Sequence, residues 1–334
     1  MGLSQSIQET LGSFEDATDT MTKAKIVRLS QGTHEAEVSF GDEADLHKHK
    51  KNCKKDPTHK SFIPLNSFTL KDLPWRYRYP QVFDLVKILA DLTVRVAVRY
   101  TSLERTECFP DTNDLYPFSA YRGLDFLRTG TGKITEALKV NDPESGCPCG
   151  ECKISGSPQK EYGLFHILTA THVVFDNIEA ENTKCKLDYN TDSSPDILLD
   201  GTEATADIDC DRCQLMCVTH DVGIVDMVKG RLQKFEELCA TVYELFPKDG
   251  FERLIVIPSH PHGCPKQISV GMWTHRMERI GDYFTAYTYT ASTCPGSSGA
   301  PVFTMARDIS WWSYMFTHRG STHDGNHCGA TWDN

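Results

Sequence analysis

Three short segments carry side chains whose types could do acyl-transfer chemistry. Leu168-Thr-Ala-Thr-His172-Val-Val ends a strand-like run in a histidine. Thr219-His220-Asp221-Val-Gly-Ile-Val carries an aspartate into an apolar run. Cys294-Pro-Gly-Ser-Ser298-Gly-Ala-Pro-Val-Phe sets a serine in a glycine-rich turn ahead of a strand. A serine hydroxyl is a weak nucleophile at neutral pH and needs a base within hydrogen-bond reach. Imidazole titrates in the right range. A carboxylate on its second nitrogen fixes the tautomer and stabilises the imidazolium. Glycine beside the serine lets two backbone N–H groups converge on one point, the geometry that stabilises an oxyanion. The competing G-x-S-x-G nucleophile elbow fails here, because position 300 is alanine.

A second set of residues suits metal. Cys147, Cys149 and Cys152 precede the histidine strand, and Cys210, Cys213 and Cys217 precede Asp221. Two close cysteine groups separated in sequence fit structural zinc, which takes four soft ligands in a tetrahedron. The plainer alternative is a cluster of free thiols. No His/carboxylate set with an open position suggests a catalytic metal, so catalysis is expected to need no cofactor. His260, His262 and Cys264 form a weaker group, read as pocket lining.

The elements that must position these residues are mostly strands. Gln81–Leu92 has helical apolar spacing, and Thr93–Tyr100 alternates valine with charge. Strand-like runs follow at 124–135, 163–175, 184–190, 217–227, 252–260, 266–275, 282–292, 300–305 and 311–318, broken by Gly, Pro and Asp turns. One helix interrupts them over 229–246, with Leu232, Phe235, Leu238, Val242 and Leu245 on one face. The pattern predicts an all-β protein, a sandwich or barrel, over 76–334 with a helical insertion at 229–247. Residues 1–75 are polar and read as a mobile extension; their run His47–Lys60 holds six lysines.

The chain has 334 residues, 24% charged and 39% hydrophobic, which excludes a fully disordered chain. A formal net charge of -11 argues against a nucleic-acid binder. Met1–Glu9 lacks a basic start followed by an apolar run, so no secretory signal is expected. With 13 cysteines, an odd number, reduced thiols in a cytoplasmic protein are the expectation rather than a disulfide framework. Met1-Gly2-Leu3-Ser4-Gln5-Ser6 matches the N-myristoylation pattern. Acylated Gly2 with the basic run 47–60 would give a peripheral membrane tether; the alternative is an inert start.

The histidine, aspartate and serine segments, in that order, resemble the three boxes of trypsin-like (chymotrypsin-fold) serine peptidases. Thr169-Ala-Thr-His172 resembles the T-A-x-H box, and Gly296-Ser-Ser298-Gly-Ala-Pro resembles the G-x-S-G-x-P box. Arg128-Thr-Gly-Thr-Gly-Lys-Ile resembles the strand ahead of the histidine, and Ile255–Gly271 a hairpin of bacterial relatives. The resemblance covers about residues 90–334. It implies two antiparallel six-stranded β-barrels with the site between them, and an endopeptidase acting on protein or peptide substrates. By position it implies His172 as base, Asp221 as its orienter, Ser298 as nucleophile, and the N–H groups of Gly296 and Ser298 as oxyanion hole, with Asp226 a poorer orienter. Ser292 stands where trypsins place the acid that selects Arg or Lys. Thr293 and His318 resemble the pair that glutamyl endopeptidases and viral main proteases use to bind Glu or Gln. In the plainer reading these two are ordinary turn and strand residues. The alternative function is a catalytically inactive domain of this fold that binds peptides or a protein partner.

Overall fold

The computed structural model describes residues 31–246, 252–278, 284–304, 316–322 and 325–331. Their elements, in order, are β1 (Thr33–His34), β2 (Glu37–Ser39), α1 (Glu43–Lys51), β3 (Phe62–Pro64), α2 (Pro80–Asp91), β4 (Thr93–Val98), β5 (Leu127–Asn141), α3 (Gly150–Ser155), β6 (Glu161–Thr169), α4 (Asn177–Glu181), β7 (Thr183–Leu187), β8 (Ile197–Asp207), β9 (Arg212–Thr219), α5 (Gly223–Leu245), β10 (Leu254–Ser259), β11 (Gln267–Glu278), β12 (Phe284–Tyr289), β13 (Pro301–Thr304), β14 (Phe316–Thr322) and β15 (Gly325–Thr331). Strands β5-β4-β7-β8-β9-β6 close into one antiparallel ring through β5–β6. Strands β14-β13-β10-β11-β12-β15 close into a second through β14–β15. This is the two-barrel architecture that the serine and histidine boxes imply. Closure pairs every strand of each ring on both sides, which removes exposed edges.

One apolar core joins the barrels. Val94, Val96, Phe165 and Leu215 of the first share it with Leu254, Val256 and Phe303 of the second, and Leu85 and Leu89 of α2 and Phe235, Leu238 and Val242 of α5 join the same cluster. Helix α5 starts six residues earlier than the sequence pattern predicts. Val225 and Val228 extend its buried stripe, and the Asp221 carboxylate accepts the Gly223 N–H at 3.0 Å. The strand expected over 217–227 therefore stops at Thr219. No helix among the described residues is long and apolar enough to cross a membrane.

The boundary expected near residue 75 is not where the structure divides. From residue 31 onward the chain is built into both barrels. Strand β1 pairs with β14, β2 with β5 and β3 with β11. Leu46, Cys53, Phe62, Leu65, Phe68 and Leu73 are buried, which explains why a polar-looking stretch is held in place. The run 47–60 is partly the last turn of α1, and its Lys55 bonds inward to Glu35. The acylation pattern at Gly2 lies outside the described residues.

A buried ion network supports the histidine turn. The Glu179 carboxylate accepts from Arg105 at 2.9 and 2.7 Å and from Arg128 at 2.7 Å, and all three side chains are out of solvent. Arg105 also donates to the His172 carbonyl at 3.3 Å. Burial pushes the Glu179 carboxyl up, and the two guanidiniums more than offset it, leaving it below its usual range. Glu179→Ala leaves two buried cations unpaired and should cost roughly 3–5 kcal/mol. Glu181→Ala removes an exposed pair with Lys153 and should cost about 1 kcal/mol or less. Denaturant unfolding of the two variants measures the contrast.

Candidate active site

The site lies where the end of β6, the β8–β9 hairpin and the loop before β13 converge. Strand β6 stops at Thr169, and the chain turns tightly, with Val173 N–H donating to Ala170 O at 3.0 Å. Thr171 Oγ1 is 2.8 Å from the carbonyls of both Asp207 and Arg212, so the turn is tied to the hairpin. That hairpin presents Asp211 in the left-handed region, at φ 46°. Its carboxylate lies 2.9 and 2.7 Å from His172 Nδ1 and also accepts the His172 backbone N–H at 3.0 Å. Both side chains are buried. Burial pushes the Asp211 carboxyl up, but the His172 charge and hydrogen bond outweigh it, and the net shift is downward.

Asp211, not Asp221, is therefore the carboxylate on His172. Asp221 is exposed and accepts the Gly223 N–H just before α5, and Asp226 on that helix pairs with Lys139. The aspartate expected at the start of an apolar strand stands instead at the start of a helix, one strand beyond the hairpin that reaches the histidine.

The serine loop is held from behind. Gly296 has φ 95°, and a Cβ there would come within 2.5 Å of His260 O. Gly299, at φ 83°, abuts Thr131 O and Thr169 Oγ1. These two positions need glycine for conformation and for space. Thr131 Oγ1 donates to Gly296 O and Thr131 N–H to Ser298 O, both at 2.8 Å. The resulting turn aims the N–H groups of Gly296 and Ser298 at one point.

A carbonyl occupies that point. Glu35 O accepts from Gly296 N–H at 2.6 Å and from Ser298 N–H at 3.3 Å, and Glu35 N–H donates to Ser298 Oγ at 2.9 Å. The preceding residues run along β14 as a short antiparallel strand, Thr33 opposite Ser321 and His34 opposite Gly320. The His34 ring packs 4.3 Å from the His172 ring. His172 Nε2 is buried and makes no hydrogen bond among the described residues. The Ser298 hydroxyl is thus engaged by Glu35, and no hydrogen bond joins it to His172 among the described residues.

The Glu35 side chain fills the adjoining pocket. Its carboxylate lies 2.9 Å from His318 Nε2, accepts from Ser321 Oγ at 2.7 Å, and pairs with Lys55. Lys55 also donates to Thr293 Oγ1 and Asn326 Oδ1, each at 2.9 Å. Tyr289 OH is 2.6 Å from His318 Nδ1. If the phenol donates to Nδ1, the neutral ring carries its proton on Nε2, facing the carboxylate. Burial lowers the His318 pKa, and Glu35 only partly restores it. Burial likewise pushes the Glu35 carboxyl up, but His318 and Lys55 reverse this and leave it well below its usual range.

Of the residues expected in the pocket, His318 touches the carboxylate and Thr293 reaches it through Lys55. Ser292 is not among the carboxylate's partners. Sequence reading missed Asp211, Glu35, Lys55 and Ser321. Asp211 sits inside Cys210-Asp-Arg-Cys213, which reads as a metal pair. Ser321 stands three residues after His318, and only the register shift between His318 and Gly320 in β14 turns both toward Glu35, which the sequence does not show. Nothing local marks Glu35 or Lys55.

Two groups of four could hold a metal. Cys147, Cys149, Cys152 and His220 have ligand atoms within 4.8 Å of one another, and so do Cys53, His59, His262 and Cys294. The remaining cysteines of the expected metal set lie elsewhere. Cys213 and Cys217 are buried in the first barrel, Cys217 beside Cys185 at 3.8 Å, and Cys210 follows β8. Strand alternation sends the β9 thiols inward, whereas His220, just past its end, reaches the other three cysteines.

Two closed six-stranded barrels, with His172, Asp211 and Ser298 between them, make the chymotrypsin-like double-barrel fold. Among solved structures the chain is similar to the Rv3671c protease of M. tuberculosis in its active form, at 14% identity and TM-score 0.38, over 78% of this chain and 82% of that one. It is also similar to the HtrA-type protease AlgW with a tripeptide, at 12% identity and TM-score 0.36, over 74% of this chain and 58% of that one. No protein-family model and no curated protein matches the chain.

The two aspartates separate cleanly in a turnover assay. Asp211→Asn should lower kcat by roughly 10⁴, because the imidazole loses the partner that fixes its tautomer. Asp221→Asn should leave kcat within about twofold and cost at most about 1 kcal/mol through the weakened hydrogen bond to Gly223. Equal losses in both would refute the assignment.

Proposed function

We propose that this chain is a serine endopeptidase that hydrolyses the peptide bond following a glutamate. His172 takes the proton of Ser298 as the hydroxyl attacks the substrate carbonyl. Asp211 holds the ring and stabilises its positive charge. The N–H groups of Gly296 and Ser298 stabilise the tetrahedral oxyanion, the term that contributes most in such sites. The protonated His172 then gives its proton to the leaving amine, and water releases the acyl-enzyme by the same route in reverse.

The observation that carries the reading is the seat of Glu35. A glutamate carboxylate is matched by an imidazole N–H, a hydroxyl and an ammonium in a pocket beside the nucleophile. Its carbonyl lies on the two N–H groups where an oxyanion would form. A site built to hydrogen-bond a polar side chain rejects apolar analogues, because its buried groups would be left unpaired.

A peptide-library profile tests this. Cleavage should dominate after Glu, and His318→Ala should lower kcat/KM for Glu peptides by roughly 10² or more relative to apolar ones. Lys55→Met should reduce the preference for Glu over Gln about tenfold, the worth of one charge-assisted bond. Because burial keeps His318 below its usual range and Lys55 supplies the charge, the Glu preference should persist as pH rises across about 6 to 9. Dominant cleavage after Arg, Lys or large aromatics would sink the proposal.

A further inference from the structure

We infer that the enzyme's first substrate is its own chain, cut in cis between Glu35 and Ala36; this rests on the glutamyl-endopeptidase reading. The segment is presented as a substrate would be. Thr33 and His34 add a strand to β14, a mode in which backbone hydrogen bonds supply affinity and alternate side chains supply specificity. His34 covers the His172 ring, Glu35 fills the carboxylate pocket, and Glu35 O lies on the Gly296 and Ser298 N–H groups. Gln31 anchors the upstream end by donating to Ile208 O and Asp209 O at 3.1 and 3.0 Å. Beyond the bond, Glu37–Ser39 is fixed by pairing with β5. The peptide bond is thereby held from both sides at the nucleophile, which supplies the orientation that a bimolecular encounter must find.

The step balances with water as co-reactant. Ser298 Oγ bonds to the Glu35 carbonyl carbon and its proton passes to His172 Nε2. The Glu35–Ala36 C–N bond breaks, and its electron pair and that proton go to the Ala36 nitrogen. Water then hydrolyses the Glu35 ester, and Ser298 regains its proton. The portion ending at Glu35 can leave β14, while Ala36 stays beside the anchored β2. Until the cut, the same segment blocks other substrates.

The purified wild-type chain should acquire an N-terminus at Ala36, read by intact mass and N-terminal sequencing, whereas Ser298→Ala stays whole. The rate constant should be unchanged over a 100-fold dilution, and Glu35→Leu should slow the cut by roughly 10² or more. A rate proportional to protein concentration would overturn cleavage in cis. A wild-type chain that stays intact yet hydrolyses Glu peptides overturns self-cleavage alone. A chain that cuts neither itself nor any Glu peptide overturns the underlying reading too.

A different observation carries a second inference: two closed zinc centres, one on Cys147, Cys149, Cys152 and His220, the other on Cys53, His59, His262 and Cys294. Tetrahedral zinc with Zn–S near 2.3 Å and Zn–N near 2.0 Å sets its ligand atoms roughly 3.3–3.8 Å apart. In the first group Cys149 and Cys152 Sγ lie 3.5 and 3.3 Å from His220 Nε2. In the second the two sulfurs are 3.6 Å apart, the two Nε2 atoms 3.2 Å, and Cys294 Sγ to His59 Nε2 is 3.8 Å. His262 Nδ1 lies 2.6 Å from the Glu37 carboxylate, the partner that orients a metal-bound imidazole. This second centre would staple the loop carrying Lys55 to the loop carrying Thr293 and Ser298.

Elemental analysis of the Ser298→Ala chain should give about two zinc ions, and Cys53→Ala or His220→Ala should each remove one. Cobalt titration of the unsubstituted chain should saturate near two equivalents with intense tetrahedral-thiolate bands, a readout independent of how the variants fold. Zinc-free protein overturns both centres. A Cys53–Cys294 disulfide in the mass spectrum, or one ion unaffected by Cys53→Ala, overturns the second.

Discussion

The site depends on one residue that no chemistry passes through. Thr131, on β5 of the first barrel, has its backbone and hydroxyl polar atoms committed. Its N–H and hydroxyl donate to Ser298 O and Gly296 O. Its hydroxyl also accepts from His260 N–H at 3.0 Å, and its carbonyl accepts from Thr169 Oγ1 at 2.8 Å. One side of this junction leads to the histidine turn and the other to the serine loop. Buried polar groups that are fully satisfied specify a single arrangement, because any slip would leave several of them unpaired. The relation between the two barrels, and hence between His172 and Ser298, is fixed there.

Three acidic groups enter this interior against matched partners. Glu179 lies between Arg105 and Arg128, Asp211 against His172, and Glu35 between His318 and Lys55. In all three, burial alone would favour the neutral acid, and the partners reverse it. The outcome differs with position. The Glu179 network is sealed in the core and supports the turn that carries His172. In the proposed function the Glu35 seat would take the same group from a substrate chain. The cost of leaving such a pocket's polar groups unpaired is what would make it selective in the proposed reaction.

On the proposed self-cleavage, the strand Thr33–His34 would also restrain the protease until the cut is made. A segment paired with β14 excludes other peptides from the same edge, since each backbone group bonds once. Residues after Ala36 then do structural work: Glu37 meets His262 and His49, and Lys55 completes the carboxylate pocket. Release of the segment up to Glu35 would leave these contacts in place.

The paired barrels followed from the resemblance, and β1, β2, β3, β8 and β15 were not read as strands; most of the other strands, helix α2 and the positions His172, Ser298, Thr293 and His318 were legible in the sequence. Each is written locally, as alternation, as helical spacing, or as small residues packed around one reactive group. Asp211 was not legible. Which carboxylate reaches an imidazole depends on where a hairpin folds back, and Asp211 and Asp221 straddle a single strand whose direction decides between them. The metal groups divided the same way: cysteine spacing marked Cys147, Cys149 and Cys152, but only the end of β9 supplied His220. The group Cys53, His59, His262 and Cys294 joins positions more than 200 residues apart. Glu35 and Lys55 sat in a stretch whose polarity reads as solvent-facing. Composition reports how polar a segment is; whether its charges meet water or a matching pocket is decided by tertiary contacts, because only these can replace the hydration that burial removes.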